Sequence, residues 1–177
     1  MTKRLLIFSF LGVFFLVLAK NVLAVDLTVN CSDSGCSPAT TSSIFPSDFW
    51  YPGRSVSRSI QINNTGANGL TISNQSQNPN SSGNLDQIIQ LSILRASDSY
   101  VIWAGSLHDF YGSAWVSLGS LGSGNNDSFV YTMTMNSTAG DDYQSKSTAY
   151  DLLMTFTGGS SSEGVVLGAS TDGGVNC

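Results

Sequence analysis

The chain has 177 residues, of which 41% are hydrophobic and only 11% charged. Three of its seven basic residues (Lys3, Arg4 and Lys20) fall in the first two dozen positions, and the remainder sets four basic residues against twelve acidic ones, a formal charge of −8. That balance excludes the basic patches that nucleic-acid binding needs; with so little charge, solubility rests on Ser, Thr, Asn, Gln and Gly, as in many extracellular β-proteins.

Residues 1–24 have the three parts of a secretory signal peptide. Lys3 and Arg4 give the positive start, residues 5–19 form an uncharged apolar run, and Val22-Leu23-Ala24 precedes the expected cut. The run is stopped by Lys20, short of the ~20 apolar residues of a membrane-spanning helix. Cleavage after Ala24 is therefore expected, with an uncleaved anchor as the alternative, and the product would be secreted or held at the cell surface with no membrane span.

The segment from Val25 alternates, with Val25, Leu27 and Val29 on one face. It reads either as an edge strand of its own domain or as a strand donated to a neighbouring subunit. Cys31 and Cys36 follow in a loop with four residues between them, and a third cysteine is Cys177. Export favours oxidation, and a Cys31–Cys36 bridge would staple a small loop. Three cysteines cannot all pair within one chain, so one is free or bonds another molecule.

Pro52-Gly53 marks a turn, after which Val56, Arg58, Ile60 and Ile62 alternate with Ser57, Ser59, Gln61 and Asn63 up to the turn Asn64-Thr65-Gly66. Arg58, alone among apolar neighbours on its face, is expected near a rim or beside an acidic partner, Asp48 or an aspartate of the Asp141-Asp142 pair. Residues 70–73 form a short strand candidate and residues 74–84 a polar loop. Residues 87–95 and 99–105 read as strands joined by a hairpin turn at Ala96-Ser97-Asp98. Residues 106–124 are irregular, with a short strand at 114–118, whereas 128–136 and 148–157 alternate clearly. From Gly158 the Gly/Ser content indicates a flexible tail.

No segment shows a convincing helical period. The expectation is an all-β, antiparallel, jelly-roll-like sandwich of about six to eight strands over residues 25–157. Asn-X-Ser/Thr sites at Asn30, Asn63, Asn74, Asn80, Asn126 and Asn136 imply surface loops if glycosylated.

Signs of chemistry are sparse. A helical metalloprotease motif needs two histidines one turn apart with a glutamate between, but the chain holds one histidine, His108, and one glutamate, Glu163. His108-Asp109 lacks a nucleophile-elbow pattern. Asp127, Asp141 and Asp142 do not have the spacing of an EF-hand and read as solvated turn residues. The aromatic clusters at 49–51 and 108–111 are weak candidates for a carbohydrate-binding face. No catalytic residue, metal ligand or cofactor is assigned, and the chain does not read as an enzyme.

Two stretches together carry a family resemblance. Residues 51–66, Tyr-Pro-Gly-Arg-Ser leading through a strand to Asn-Asn-Thr-Gly, resemble the first strand of the TasA/camelysin family of exported biofilm-matrix fibre proteins. Ala139-Gly140-Asp141-Asp142-Tyr143-Gln144-Ser145-Lys146-Ser147, followed by Tyr150 to Phe156, resembles its late Tyr-Gln-Gly-Lys segment, and Leu118-Gly119-Ser120-Leu121 its middle turn. The cysteine loop and the tail ending in Cys177 depart from the family pattern. The resemblance implies a jelly-roll subunit that polymerises outside the cell, the N-terminal strand of one copy completing the sheet of the next. The donor would be the segment of Val25, Leu27 and Val29, and the partner a second copy, with other matrix or cell-surface components as further partners. Some relatives are labelled metallopeptidases, an activity not carried over to a chain with no zinc-ligand set. A monomeric surface module for carbohydrate or protein is the alternative.

Overall fold

The structure is a computed structural model that describes residues 24–37, 44–45, 50–158 and, as backbone, 162–171. These residues form ten strands: β1 (Leu27–Ser32), β2 (Gly35–Ser37), β3 (Ser55–Asn64), β4 (Leu70–Ser81), β5 (Ile89–Arg95), β6 (Tyr100–Ser106), β7 (Val116–Leu121), β8 (Asn126–Met135), β9 (Thr148–Thr157) and β10 (Ser162–Thr171). Two sheets pack face to face, one ordered β2-β1-β3-β8-β5-β6 and the other β10-β9-β4-β7. The molecule is thus an all-β sandwich.

The core follows from the period-2 patterns. Ile60 and Ile62 of β3, Phe129, Tyr131, Met133 and Met135 of β8, and Ile89, Leu91 and Ile93 of β5 are buried on one inner face. Leu70 and Ile72 of β4 and Tyr150, Leu152, Met154 and Phe156 of β9 are buried opposite them. Between β2–β1 and β5–β6 lies the β3/β8 ladder, nine antiparallel pairs from Ser55↔Thr134 to Asn63↔Asn126. It starts from a tight turn in which the Arg54 N–H donates to the Tyr51 carbonyl (2.9 Å). Pro52 suits the second position of that turn, and Gly53 the third, where φ is +81°.

Four expectations are corrected. First, residues 74–81 are not a loop, because β4 continues to Ser81, paired with β9 on one side to its end and with β7 on the other as far as Asn74; residues 82–84 do form a turn. Asn74 is fully buried, its amide donating to the Tyr131 hydroxyl, so this Asn-X-Ser site is a core position and not a surface loop. A strand is held by its main-chain ladder, here to β9, and polar side chains do not prevent that.

Second, two short helices occur, α1 (Leu85–Ile88) and α2 (Leu107–Gly112). The Ser106 hydroxyl caps α2 by accepting from the Asp109 N–H (3.0 Å), and Leu107 and Phe110 fill the core beneath it. A helix this short is below the length at which periodicity is legible.

Third, residues 162–171 are not a flexible tail but strand β10, in register with β9 over ten pairs. A main-chain ladder needs no apolar side chain, so Gly/Ser composition misleads here.

Fourth, Arg58 sits at the rim as expected, but its acidic partner is not the Asp141-Asp142 pair. Its NH1 lies 3.4 Å from Asp26 Oδ1, and its Nε donates to the Ile44 carbonyl (2.9 Å). Asp141 and Asp142 lie in an exposed 3₁₀ turn, while Asp48 is outside the described residues.

Candidate functional site

The feature that sets this sandwich apart is how its N-terminal segment is seated. β1 lies parallel to β3, in register from Leu27↔Ile60 to Cys31↔Asn64, and antiparallel to the short β2. Its alternation places Val29 and Cys31 fully in the core, with Leu27 half-buried against it. Val25 precedes the strand and is exposed. β1 therefore lies next to the edge of its own sheet, the edge itself being a β2 of only three residues that pairs with Asn30–Ser32.

Polar contacts fasten both ends of the strand. At the start, the Asp26 N–H donates to the Ser59 carbonyl (2.9 Å), and Asp26 Oδ2 accepts from the Ser59 N–H (2.8 Å). The other carboxylate oxygen faces Arg58. In the middle, the Asn63 amide donates to Asn30 Oδ1 (2.8 Å). At the end, the Thr65 N–H and hydroxyl both donate to the Cys31 carbonyl (2.7 and 2.9 Å), and the Ala67 N–H donates to Asp33 Oδ1 (3.0 Å). Gly66 allows this approach, since a Cβ there would stand 2.8 Å from Asp33 Oδ1. Asn64, buried at the end of β3, donates to the Asn68, Leu121 and Gly122 carbonyls and so ties the turn after β3 to the turn after β7.

Cys31 and Cys36 face each other across β1 and β2 and are joined by a disulfide. Cys177 is outside the described residues. The bridge makes β1 and β2 one stapled hairpin. Closing so small a loop is worth about 2 kcal/mol. Reduction is accordingly expected to lower the urea midpoint of the protein by that amount of stability; equal midpoints with and without reductant would show that the bridge contributes nothing.

The other candidate groups fall elsewhere. Trp50 is buried, Tyr51 is exposed, and Phe49 is outside the described residues, so 49–51 is not a continuous aromatic platform. In the second cluster Phe110 is core and Tyr111 is half-buried, its hydroxyl within 2.6 Å of Thr148 Oγ1. Large apolar side chains exposed on the surface include Tyr100, Val101 and Trp115, on or beside β6 and β7, which composition did not single out.

His108 is oriented by a carboxylate. Its Nδ1 lies 2.7 Å from Oδ2 of the buried Asp86, whose Oδ1 accepts from the Ser81 hydroxyl (2.8 Å). The serine meets the carboxylate and not the imidazole, so the order of a nucleophilic triad is absent. Asp109 is held below the usual carboxylate range, chiefly by the Ser106 hydroxyl that donates to it. Asp127 accepts from Ser97 and from the Ser128 N–H. Among the described residues no three His, Cys, Asp or Glu side chains are grouped to hold a metal ion, and no helix is long and apolar enough to cross a membrane.

A shallow cleft of about 40 Å³ opens beside the start of β1, lined by Ala24, Asp26, Ser57, Arg58, Ser59 and Val130. Organic ligands occupy pockets of roughly 300–1,000 Å³, so this cleft is a feature of the strand's seat and not a small-molecule site. No protein-family model and no curated protein matches the chain. Its functional reading therefore rests on the geometry of the N-terminal hairpin.

Proposed function

We propose that the protein is a secreted structural subunit of extracellular fibres of the TasA/camelysin type, assembled by donation of its N-terminal strand to the sheet of the next copy. One observation carries this reading: β1 supplies fully buried side chains to the core, yet it lies next to the sheet edge, backed only by the three-residue β2 over Asn30–Ser32. A segment so placed can be replaced by the same segment of another copy, with every main-chain bond and core contact kept.

Three of the four sheet edges among the described residues favour exchange over simple addition. β2 is three residues long, and the ladders joining β6 to β5 and β7 to β4 are each interrupted by a bulge. Short or bulged edges resist edge-to-edge pairing. Growth through β1 avoids that barrier because it re-forms an existing ladder.

The test is negative-stain microscopy and size-exclusion chromatography of the exported protein beside a deletion of residues 25–37. Filaments from the parent and none from the deletion are expected, with a synthetic 25–37 peptide binding to the truncated subunit and stabilising it. Filaments from the deletion, or a parent that stays monomeric at all concentrations, would end this reading. The second outcome favours a monomeric surface binding module, a reading supported by the exposed Tyr51, Tyr100 and Trp115.

A further inference from the structure

Within the seat of β1, the apolar pattern leaves one question open, and a polar contact answers it. Leu27, Val29 and Cys31 select which face of the strand enters the core. A slip of two residues preserves that facing, so alternation alone does not define the register. In the observed register Leu27 stands opposite Ile60, which brings Asp26 beside Ser59. A two-residue slip would bring Ala24 or Thr28 there instead. Neither carries a carboxylate, and the Ser59 N–H and the Arg58 guanidinium would lose their acceptor.

We propose that Arg58 and Ser59 form a register-setting dock for Asp26, and that in the assembled fibre the Asp26 they hold belongs to a second copy of this chain. This rests on the strand-donation reading above. The dock and its key lie on different parts of the molecule. Arg58 and Ser59 belong to β3, inside the six-stranded sheet, whereas Asp26 precedes the exchangeable strand.

The guanidinium is positioned by the body of the subunit. Its Nε is held by the Ile44 carbonyl (2.9 Å) and its NH1 by the Ser57 carbonyl (3.4 Å), and among the described residues Asp26 is its acidic partner. The two side chains are 30% and 34% exposed, so the ion pair sits at the rim of the core. Rim pairs add modest affinity but strongly influence which partner and which register is accepted. Here the partner is a strand with an acidic residue directly before an alternating Leu-X-Val-X-Cys run, which is this chain's own N-terminal segment.

The test exchanges the charges in full-length, exported protein and reads the concentration of subunit left unassembled, by sedimentation with microscopy of the pellet. Asp26→Arg and Arg58→Asp, each alone, should raise that concentration about tenfold, since each puts like charges together and Asp26→Arg also strips the acceptor from Ser59. The double variant should recover to within about threefold of the parent, the residue of the loss being the unmet Ser59 N–H. An equal mixture of the two single variants should recover to the same degree, because each donor then meets a complementary acceptor on the other protein.

Recovery of the double variant without recovery of the mixture would tie the pair to one copy and overturn the intermolecular dock. No recovery in the double variant would overturn the ion-pair dock even if filaments form. A parent that forms no filaments overturns the second-copy assignment together with the strand-donation reading. In that case a double-mutant cycle on the urea midpoints of the same four proteins still shows whether Asp26 and Arg58 are coupled.

Discussion

Val29→Asp is expected to unseat the N-terminal strand and abolish filament formation while leaving the remainder of the sandwich folded. Val29 is fully buried between the sheets, paired in register with Ile62. A carboxylate at that position would have to shed its hydration without a partner, at a cost of several kcal/mol. The strand has a cheaper response, which is to leave. Its departure forfeits the core contacts of Val29 and Cys31 and the ladder to β3, so the free energy of docking the hairpin caps the measured loss. That cap is about 3 kcal/mol if each of the two buried side chains contributes its usual ~1.5 kcal/mol.

Hydrogen exchange resolves the two responses. Departure of β1 should raise the exchange of the amides of Ser59, Gln61, Asn63 and Thr65, which face β1, while sparing those of β9, which belongs to the other sheet. Unchanged exchange in β3 would show that β1 tolerates the charge and that its seat is not the weak point supposed here.

The second large effect is alkaline unfolding. Burial raises the pKa of the hydroxyls of Tyr131, Tyr150 and Tyr111 above the ordinary tyrosine value, with neighbouring phenols adding to the shift at Tyr150. Each phenol must stay neutral in the native state but ionises freely once the chain unfolds. The stability that this protonation supports is therefore complete below the unfolded value near pH ~10. It is lost as the pH climbs from there towards the raised native values. Each group contributes a slope of about 1.4 kcal/mol per pH unit in that window, or roughly 4 kcal/mol per unit for the three together.

Cooperative loss of β-sheet circular dichroism should thus coincide with phenolate absorbance above pH ~10. Tyr150→Phe discriminates, because among the described residues the Tyr150 hydroxyl is buried without a hydrogen-bond partner. That variant should be at least as stable as the parent at neutral pH and should shed about a third of the alkaline slope. A parent that keeps its structure while these tyrosines ionise would refute the account.

Much of the sandwich was legible in the chain. The alternations at 56–62, 128–136 and 148–157 correspond to β3, β8 and β9, and the faces assigned to Ile60, Ile62, Tyr150 and Phe156 are buried. Such strands are half-buried, so every second residue records its environment. β4 escaped notice past Ser73 because its later side chains are polar and only partly covered, and what holds them is a ladder to β9. β10 escaped for the same reason, its pairing being a property of the main chain. The six-residue α2 has too few turns to display a period, although Ser106, three residues before Asp109, is a readable cap.

The seat of the hairpin divides the same way. An alternating N-terminal strand and two nearby cysteines can be read directly from Val25, Leu27, Val29, Cys31 and Cys36. Its parallel pairing with β3, the shared dock of Arg58 and Ser59 for Asp26, and the burial of Asn74 against Tyr131 emerge only in three dimensions. Sequence by itself determined which residues turn inward, because side-chain alternation is a local consequence of strand geometry. Tertiary structure alone decided which strands are neighbours and in what register. Pairing joins residues some 30 to 80 positions apart, and a period of two is satisfied equally well by many partners and by every even slip between them.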